Sequence, residues 1–296
     1  GYQNGKKRNS RVVNNYEPSA LITWDYQMND KAKLTTSLLG RYVMYSSTKL
    51  NYNNAGNPAP DYWKNFPSYQ YNVWDPTDPD NTEAALAGWW NSYNTWTASK
   101  ANRQINFDKL YFANSQLNAQ GADAAYYIQA KHNDHLMINL ASTLNLDINK
   151  NSKLQAGLQL GTNKGMHYQT MEDMMGARYY HNINTYALGT YSANDPRVQY
   201  DLNRPNAAVG EGDRFGYDYN LYVDKLSLWT QYTYDEGPTH SFVAAKIGGS
   251  QMWRKGNMRN GLAALNSYGN SDKAYFLDGG FKAGSSISLG RGNSIT

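Results

Sequence analysis

Leu136-Met137-Ile138-Asn139-Leu140-Ala141-Ser142-Thr143-Leu144-Asn145-Leu146-Asp147-Ile148 is the stretch on which the fold turns. Leu136, Ile138, Leu140, Leu144, Leu146 and Ile148 alternate with Asn139, Ala141, Thr143, Asn145 and Asp147. A period of two places the aliphatic set on one face of a β-strand and the polar set on the other. Asn149-Lys150-Asn151-Ser152 follows, a cluster of turn-forming residues. Leu154, Ala156, Leu158 and Leu160 then alternate with Gln155, Gly157, Gln159 and Gly161. The two runs read as a hairpin. Folding it about the turn brings Ile148 opposite Leu154 and Leu144 opposite Leu158. A slip of one residue would put every apolar side chain on the wrong face.

The same pattern recurs on both sides. Upstream, Ala20, Ile22, Trp24, Tyr26 and Met28 share a face, Asn29-Asp30-Lys31-Ala32 makes a turn, and Leu34, Leu38, Tyr42 and Met44 return. Here Trp24 is expected opposite Leu38. Downstream, Leu226, Leu228 and Tyr232 lead to a turn at Asp235-Glu236-Gly237-Pro238-Thr239, followed by Val243, Ala245 and Ile247. A seventh strand runs through Tyr275, Leu277, Phe281, Ile287 and Leu289, with a turn signal at Gly290-Arg291-Gly292-Asn293.

The connections are of two kinds. Each hairpin closes tightly, but the hairpins are joined by long stretches at about 46–134, 163–217 and 251–272. Short turns at one end and long connections at the other are the layout of an outer-membrane barrel. A sandwich in water usually shows turn signals every 8–12 residues. The fold expected is all-β: an antiparallel, up-and-down transmembrane β-barrel segment with short periplasmic turns and long extracellular loops. In such a barrel the apolar face looks at lipid and the Gln, Asn, Thr and Gly set lines a wet interior. Trp24, Tyr26, Tyr42, Tyr45, Trp229, Tyr232 and Tyr234, near strand ends, fit interfacial girdles.

Composition agrees. The chain has 26 Tyr and 8 Trp, residues favoured in strands and at membrane interfaces. Its formal charge of +4 is scattered, which argues against a nucleic-acid partner. With no Cys, disulfides and thiolate metal sites are excluded. The longest apolar run, Ala84–Trp90, falls far short of the roughly 20 residues a spanning helix needs. No signal peptide is visible at Gly1.

Short pieces in a fixed order carry a family resemblance. They are Gly1-Tyr2-Gln3-Asn4-Gly5-Lys6-Lys7-Arg8-Asn9-Ser10-Arg11-Val12, then Asn57-Pro58, Asp61-Tyr62 and Phe66-Pro67-Ser68-Tyr69, then Ile105-Asn106-Phe107-Asp108-Lys109-Leu110-Tyr111. Glu211-Gly212-Asp213-Arg214-Phe215-Gly216-Tyr217-Asp218-Tyr219 follows, then Trp253-Arg254 with Met258-Arg259-Asn260-Gly261, and finally Asn266-Ser267-Tyr268-Gly269. Together they resemble the barrel of Bacteroidetes TonB-dependent outer-membrane receptors, the carboxypeptidase-regulatory-like and SusC-like group. The resemblance implies a 22-stranded, plugged barrel in the cell outer membrane. It also implies uptake of a nutrient ligand, coupling to TonB, and in the SusC-like case a surface lipoprotein lid. Residues 1–296 are then expected to be a middle portion of one barrel, with outer-membrane lipid around it and the plug and TonB-binding segment outside this chain. The rival readings are a surface carbohydrate-binding β-protein and a non-transporting assembly barrel.

Few residues are candidates to carry chemistry. Trp74, Trp89, Trp90 and Trp96 crowd the first long connection and are the leading ligand-contact candidates, by stacking on a ring or an apolar group. Asp213 and Arg214 are a candidate charged pair where the second connection returns to the sheet, and are further ligand-contact candidates. Asp75, Asp78, Asp80 and Glu83 offer oxygen ligands of the type calcium takes, but Pro76 and Pro79 break the cluster and the regular calcium-loop spacing is lacking. His132 and His135, three apart on a strand, fall on opposite faces and make a poor metal pair. No nucleophile elbow or phosphate loop is present, so no catalytic residue, enzyme activity or cofactor is expected.

Overall fold

The computed structural model describes residues 1–290 and 293–296. Arg291 and Gly292, expected in the last turn, lie outside the described residues. The strands in chain order are β1 (Tyr2–Gln3), β2 (Lys6–Lys7), β3 (Val13–Tyr16), β4 (Ser19–Asn29), β5 (Ala32–Tyr52), β6 (Tyr126–Asp147), β7 (Ser152–Asp173), β8 (Arg214–Glu236), β9 (Thr239–Gly256), β10 (Gly269–Asn270), β11 (Ala274–Gly290) and β12 (Asn293–Ile295). Three α-helices, α1 (Gln70–Val73), α2 (Pro79–Ala98) and α3 (Phe107–Asn118), lie between β5 and β6. The large sheet is ordered β12-β11-β9-β8-β7-β6-β5-β3, with β4 also on β5, so successive long strands are neighbours in an up-and-down meander. β3 and β4 are interrupted at Glu17-Pro18, where Pro18 has no N–H to donate to a ladder.

All three expected hairpins form, and their parity is as read. Two registers differ. Ile22, not Trp24, pairs with Leu38, and Trp24 faces Thr36. The Ile148 amide donates to the Ser152 carbonyl (2.9 Å) and Gln155 Nε2 donates to Asn145 Oδ1 (2.7 Å), so Ile148 faces Ser152 rather than Leu154. In both cases the turn is two residues tighter than expected. A shift of two leaves each side chain on its own face. In the third hairpin Tyr232 pairs with Val243 and Leu228 with Ile247. Its turn, Gly237-Pro238, has Gly237 at φ +56°, while Pro238 is locked negative; this is the type II′ pattern that suits hairpin twist.

The strands are longer than the alternation suggests. β5 continues to Tyr52 and β6 begins at Tyr126, so the first connection is shorter than 46–134. β7 reaches Asp173, β8 begins at Arg214 and β9 reaches Gly256, which trims the other two. Apolar alternation fades in these extensions because their side chains meet other protein groups. Asn51 Nδ2, for example, donates to Tyr127 OH and Gln129 Oε1, both at 3.0 Å.

The chain divides into two compact units. The first comprises Gly1–Val13, Ser47–Lys131 and Gln169–Gly216 and contains the helices. It has an ordinary core. Phe107, Leu110, Ile128 and Met175 form one buried cluster, and Tyr127, Met171, Met174, Tyr180, Val209 and Phe215 are among a second. Between these elements Asn114 is fully buried with its amide spent. Its Nδ2 donates to the carbonyls of Tyr126, Met174 and Met175, and its Oδ1 accepts from the amides of Ala125 and Tyr126. Arg8 lies against Phe107, donates to Gln3 and Tyr111, and is paired with Asp173; these contacts tie the first residues to this core.

The second unit, Asn14–Ser46, His132–Tyr168 and Tyr217–Thr296, is built on the sheet, with one short 3-10 turn at Gly261–Ala263. Among its described residues the only buried apolar side chain is Ala32. Its large aliphatic and aromatic residues are instead exposed: Leu228 is 49% and Leu277 82% accessible. Register places them together. Ile22 faces Leu38; Thr36 and Ser142 share a hydrogen bond (2.8 Å); Ser152 bonds Tyr232 (2.9 Å); Leu228 pairs with Ile247; Ala245 pairs with Phe281. One continuous face thus carries Ile22, Leu38, Leu140, Leu158, Leu228, Ile247, Phe281 and their neighbours in phase. The opposite face carries Asp25, Thr35, Asn145, Gln155, Gln159, Ser227, Lys246 and Asp278. Its groups bond one another: Thr35 to Asp25 (2.6 Å), Ser227 to Gln159 (3.4 Å), and Lys246 to Asp278 (3.7 Å). Two expected girdle residues belong to this polar face. Tyr45 is out of phase with Tyr42 and Met44, and Trp229 lies over Gly157, where an added Cβ would fall 2.2 Å from its Nε1. Trp24, Tyr26, Tyr42, Tyr232 and Tyr234 remain on the apolar face, with Trp24 and Tyr26 stacked at 5.5 Å.

The apolar face has a measurable height. On β7 it is bounded by Ser152 near the tight turn and Thr162 above. Ten residues at about 3.3 Å each span about 33 Å along the strand, or about 23 Å if tilted by about 45°. The apolar band of a membrane barrel is about 25 Å tall.

Candidate functional site

A concave, aromatic-lined site lies in the helical unit. It begins at the start of α2. Asp78 is the N-cap and accepts from the amides of Asp80 (3.0 Å) and Asn81 (3.3 Å), while Pro79 occupies the first helical position. Trp74 precedes the cap and is held by Nε1 donating to Thr82 Oγ1 (3.0 Å). Asn81 bridges the same junction, donating to the Val73 carbonyl (3.2 Å) and accepting from the Asp75 amide (2.5 Å). The apolar run Ala84–Trp90 thus lies inside a 20-residue helix.

Along α2, Thr82, Ala85, Leu86, Trp89 and Trp90 recur at helical spacing and form one stripe. With Gln70, Tyr71 and Trp74 this stripe lines a cleft of about 380 Å³. No residue of α2 is buried, and Leu86, Trp90 and Tyr71 are more than half exposed. Trp89 stacks on Tyr93 (5.2 Å, 7° between planes) and meets Trp90 edge-on at 5.0 Å, so the indoles brace each other. The lining holds no titratable carboxylate, amine or imidazole. Stacking and apolar contact are what it offers.

Three of the four expected tryptophans therefore converge. Trp96 does not: it stacks on Phe66 (4.8 Å) and fastens the far end of α2 to the preceding segment. Tyr71 and Leu86 belong to the cleft but are not legible as such without the helix. The stripe of apolar residues from Ala85 to Trp90 is the signal that points to Leu86.

The acidic cluster is spent locally. Asp75 Oδ1 accepts from the hydroxyl and amide of Thr77, which hold its carboxyl below the usual range, the hydroxyl most strongly. Asp78 is the helix cap, and Asp80 lies in the first turn of α2 with Glu83 further along the helix. Among the described residues no three His, Asp or Glu side chains gather at metal-binding distance. Asp213 closes a turn: its Oδ2 accepts from the Gly210 amide (2.8 Å), and its carbonyl accepts from the Met171 amide (3.0 Å). Arg214 opens β8. His132 stacks on Tyr168 at 4.4 Å, while His135 meets His167 edge-on at 6.1 Å, on the two faces of the strand pair as their spacing requires.

No protein-family model matches the chain, and no curated protein sequence does. Among solved structures, the ferric-catecholate import receptor Fiu of E. coli K12 is similar in its closed form (9% identity, TM-score 0.41) and in its open form (9% identity, TM-score 0.42). The matches cover 95% and 96% of this chain but 32% and 35% of the receptor chains. The chain thus spans about a third of the length of the structures it matches.

Proposed function

We propose that this chain is a membrane-embedded portion of an outer-membrane receptor that imports a nutrient, with no catalytic role. The observation that carries the proposal is the uncovered apolar face of the sheet unit. A water-soluble sheet of this size hides its aliphatic face against a second layer. Here that face is continuous, exposed, about as tall as a bilayer's apolar band, and opposed to a hydrogen-bonded polar face. Lipid is the solvent that stabilises such an arrangement, at about 25 cal/mol for each Å² removed from water. The polar face then meets the water-filled path of the solute.

Within this reading the tryptophan cleft is the recognition surface, since stacking selects ring-bearing or apolar ligands without a charge. The family resemblance in the sequence supports two partners: TonB, acting through a segment outside this chain, and a surface lipoprotein covering the ligand. The test is fractionation. The full chain is expected in the outer-membrane fraction, resistant to urea extraction and dispersed only by detergent. Recovery as a monodisperse protein in detergent-free buffer would refute the proposal.

A further inference from the structure

At the upper edge of the apolar face, two cross-strand rows break its character. The lower row is Thr162, Asp224, Gln251 and Tyr275, on β7, β8, β9 and β11 in turn. Thr162 Oγ1 donates to Asp224 Oδ1 (2.7 Å), Gln251 Nε2 donates to Asp224 Oδ2 (2.8 Å), and Gln251 pairs with Tyr275. The row above is Lys164, Tyr222, Trp253 and Lys273. Tyr222 pairs with Trp253 and their rings stack at 4.7 Å, 4° from parallel. Lys164 Nζ stands 5.9 Å from the Tyr222 ring and Lys273 Nζ 4.6 Å from the Trp253 ring.

We propose that the row Lys164, Tyr222, Trp253 and Lys273 docks the phosphate of an anionic membrane lipid. This rests on the reading that the apolar face meets lipid. Four observations carry it. First, the row lies one pleat beyond the band of about 23 Å, at headgroup depth. Second, two ammonium groups flank a flat aromatic platform, the two ends about 14 Å apart across three strand spacings. Third, each ammonium stands over the face of an aromatic ring, the cation–aromatic pairing suited to a membrane interface. Fourth, the Asp224 carboxylate in the row below is turned to Thr162 and Gln251 and not to the lysines. Lys273 also donates to Gln251 Oε1 (3.4 Å), which ties the charged row to the polar one.

The test is lipid retention by the full chain purified in a neutral detergent, read by native mass spectrometry after adding phosphatidylglycerol or phosphatidylcholine with the same acyl chains. Phosphatidylglycerol is expected to be retained preferentially. Lys164→Gln and Lys273→Gln should each weaken its retention about fivefold, and together about 30-fold, as expected for two lysines at an anionic surface. Lys164→Arg with Lys273→Arg should restore it, and Lys282→Gln on the opposite face should leave it unchanged. Equal retention of the two lipids, or an unaltered double Gln variant, overturns the proposal while leaving the lipid-facing reading intact. Displacement of phosphatidylglycerol by millimolar inorganic phosphate overturns it in favour of a free-anion site. A chain that binds neither lipid and needs no detergent removes both readings.

Discussion

Leu158→Arg and Leu228→Arg place a charge at the middle of the apolar face. Ser152 and Thr162 bound that face on β7, so Leu158 sits close to midway, and Leu228 lies in the same cross-strand row, paired with Ile247. If water bathes this face, an exposed Leu changed to Arg costs within about 0.5 kcal/mol, since nothing buried is lost. If lipid does, Arg at the midplane costs about 2–4 kcal/mol, falling to about 0–1 near the interface. The two cases differ by at least about 1.5 kcal/mol, a factor of about 12 in the folding equilibrium with RT of about 0.6 kcal/mol. The assay is reversible denaturant unfolding of the full chain in lipid vesicles, followed by tryptophan fluorescence. Gln159→Arg, one residue along on the polar face, is the internal control and should cost under about 1 kcal/mol because that face is wet. Thr162→Arg, at the rim, should fall near it. The reasoning fails if Leu228→Arg is no more costly than Gln159→Arg, or if the cost does not decline from Leu228 to Thr162.

Other outcomes are expected elsewhere in the molecule. Gly157→Ala should destabilise the sheet by about 1–3 kcal/mol, because its Cβ would fall 2.2 Å from Trp229 Nε1; Gly157→Ala combined with Trp229→Ala should recover most of the loss in the same unfolding assay. Asn114→Ala should cost the helical unit at least about 3 kcal/mol, as several buried backbone groups lose their partner at about 1–3 kcal/mol each; thermal unfolding by circular dichroism measures it. Trp89→Ala should abolish uptake or ligand binding with little loss of fold, whereas Trp96→Ala should loosen α2 and leave the cleft's own side chains in place; growth on the transported nutrient, with limited proteolysis, separates the two. Burial, then the neighbouring Tyr127, pushes the Tyr180 phenol above its ordinary value of 10.0. The stability it contributes is full below pH 10 and declines as pH rises past that value, because only the unfolded chain can then ionise. Tyr180→Phe should flatten that alkaline decline in a stability-versus-pH series.

The sequence by itself determined the central part of each of the seven long strands, where the three short turns fall, and which side chains share a face. Alternation has a period of two, so it specifies each register only to within a shift of two residues. The choice among those registers belonged to turn geometry, which set Ile22 against Leu38 and Ile148 against Ser152. Alternation also ends where the strands leave the apolar band, so the extensions to Tyr52 and Asp173 were invisible. The tryptophan-rich connection was legible as a candidate, but convergence was not. Trp74, Trp89 and Trp90 meet because α2 starts on the Asp78 cap and presents one stripe to Gln70 and Tyr71, while Trp96, two turns further on, comes out against Phe66. Lys164 and Lys273 are 109 residues apart in the chain, and nothing local marks them as a pair. Only a sheet in which β8 and β9 stand between them brings both to one row, since cross-strand neighbours are made by pairing and not by sequence.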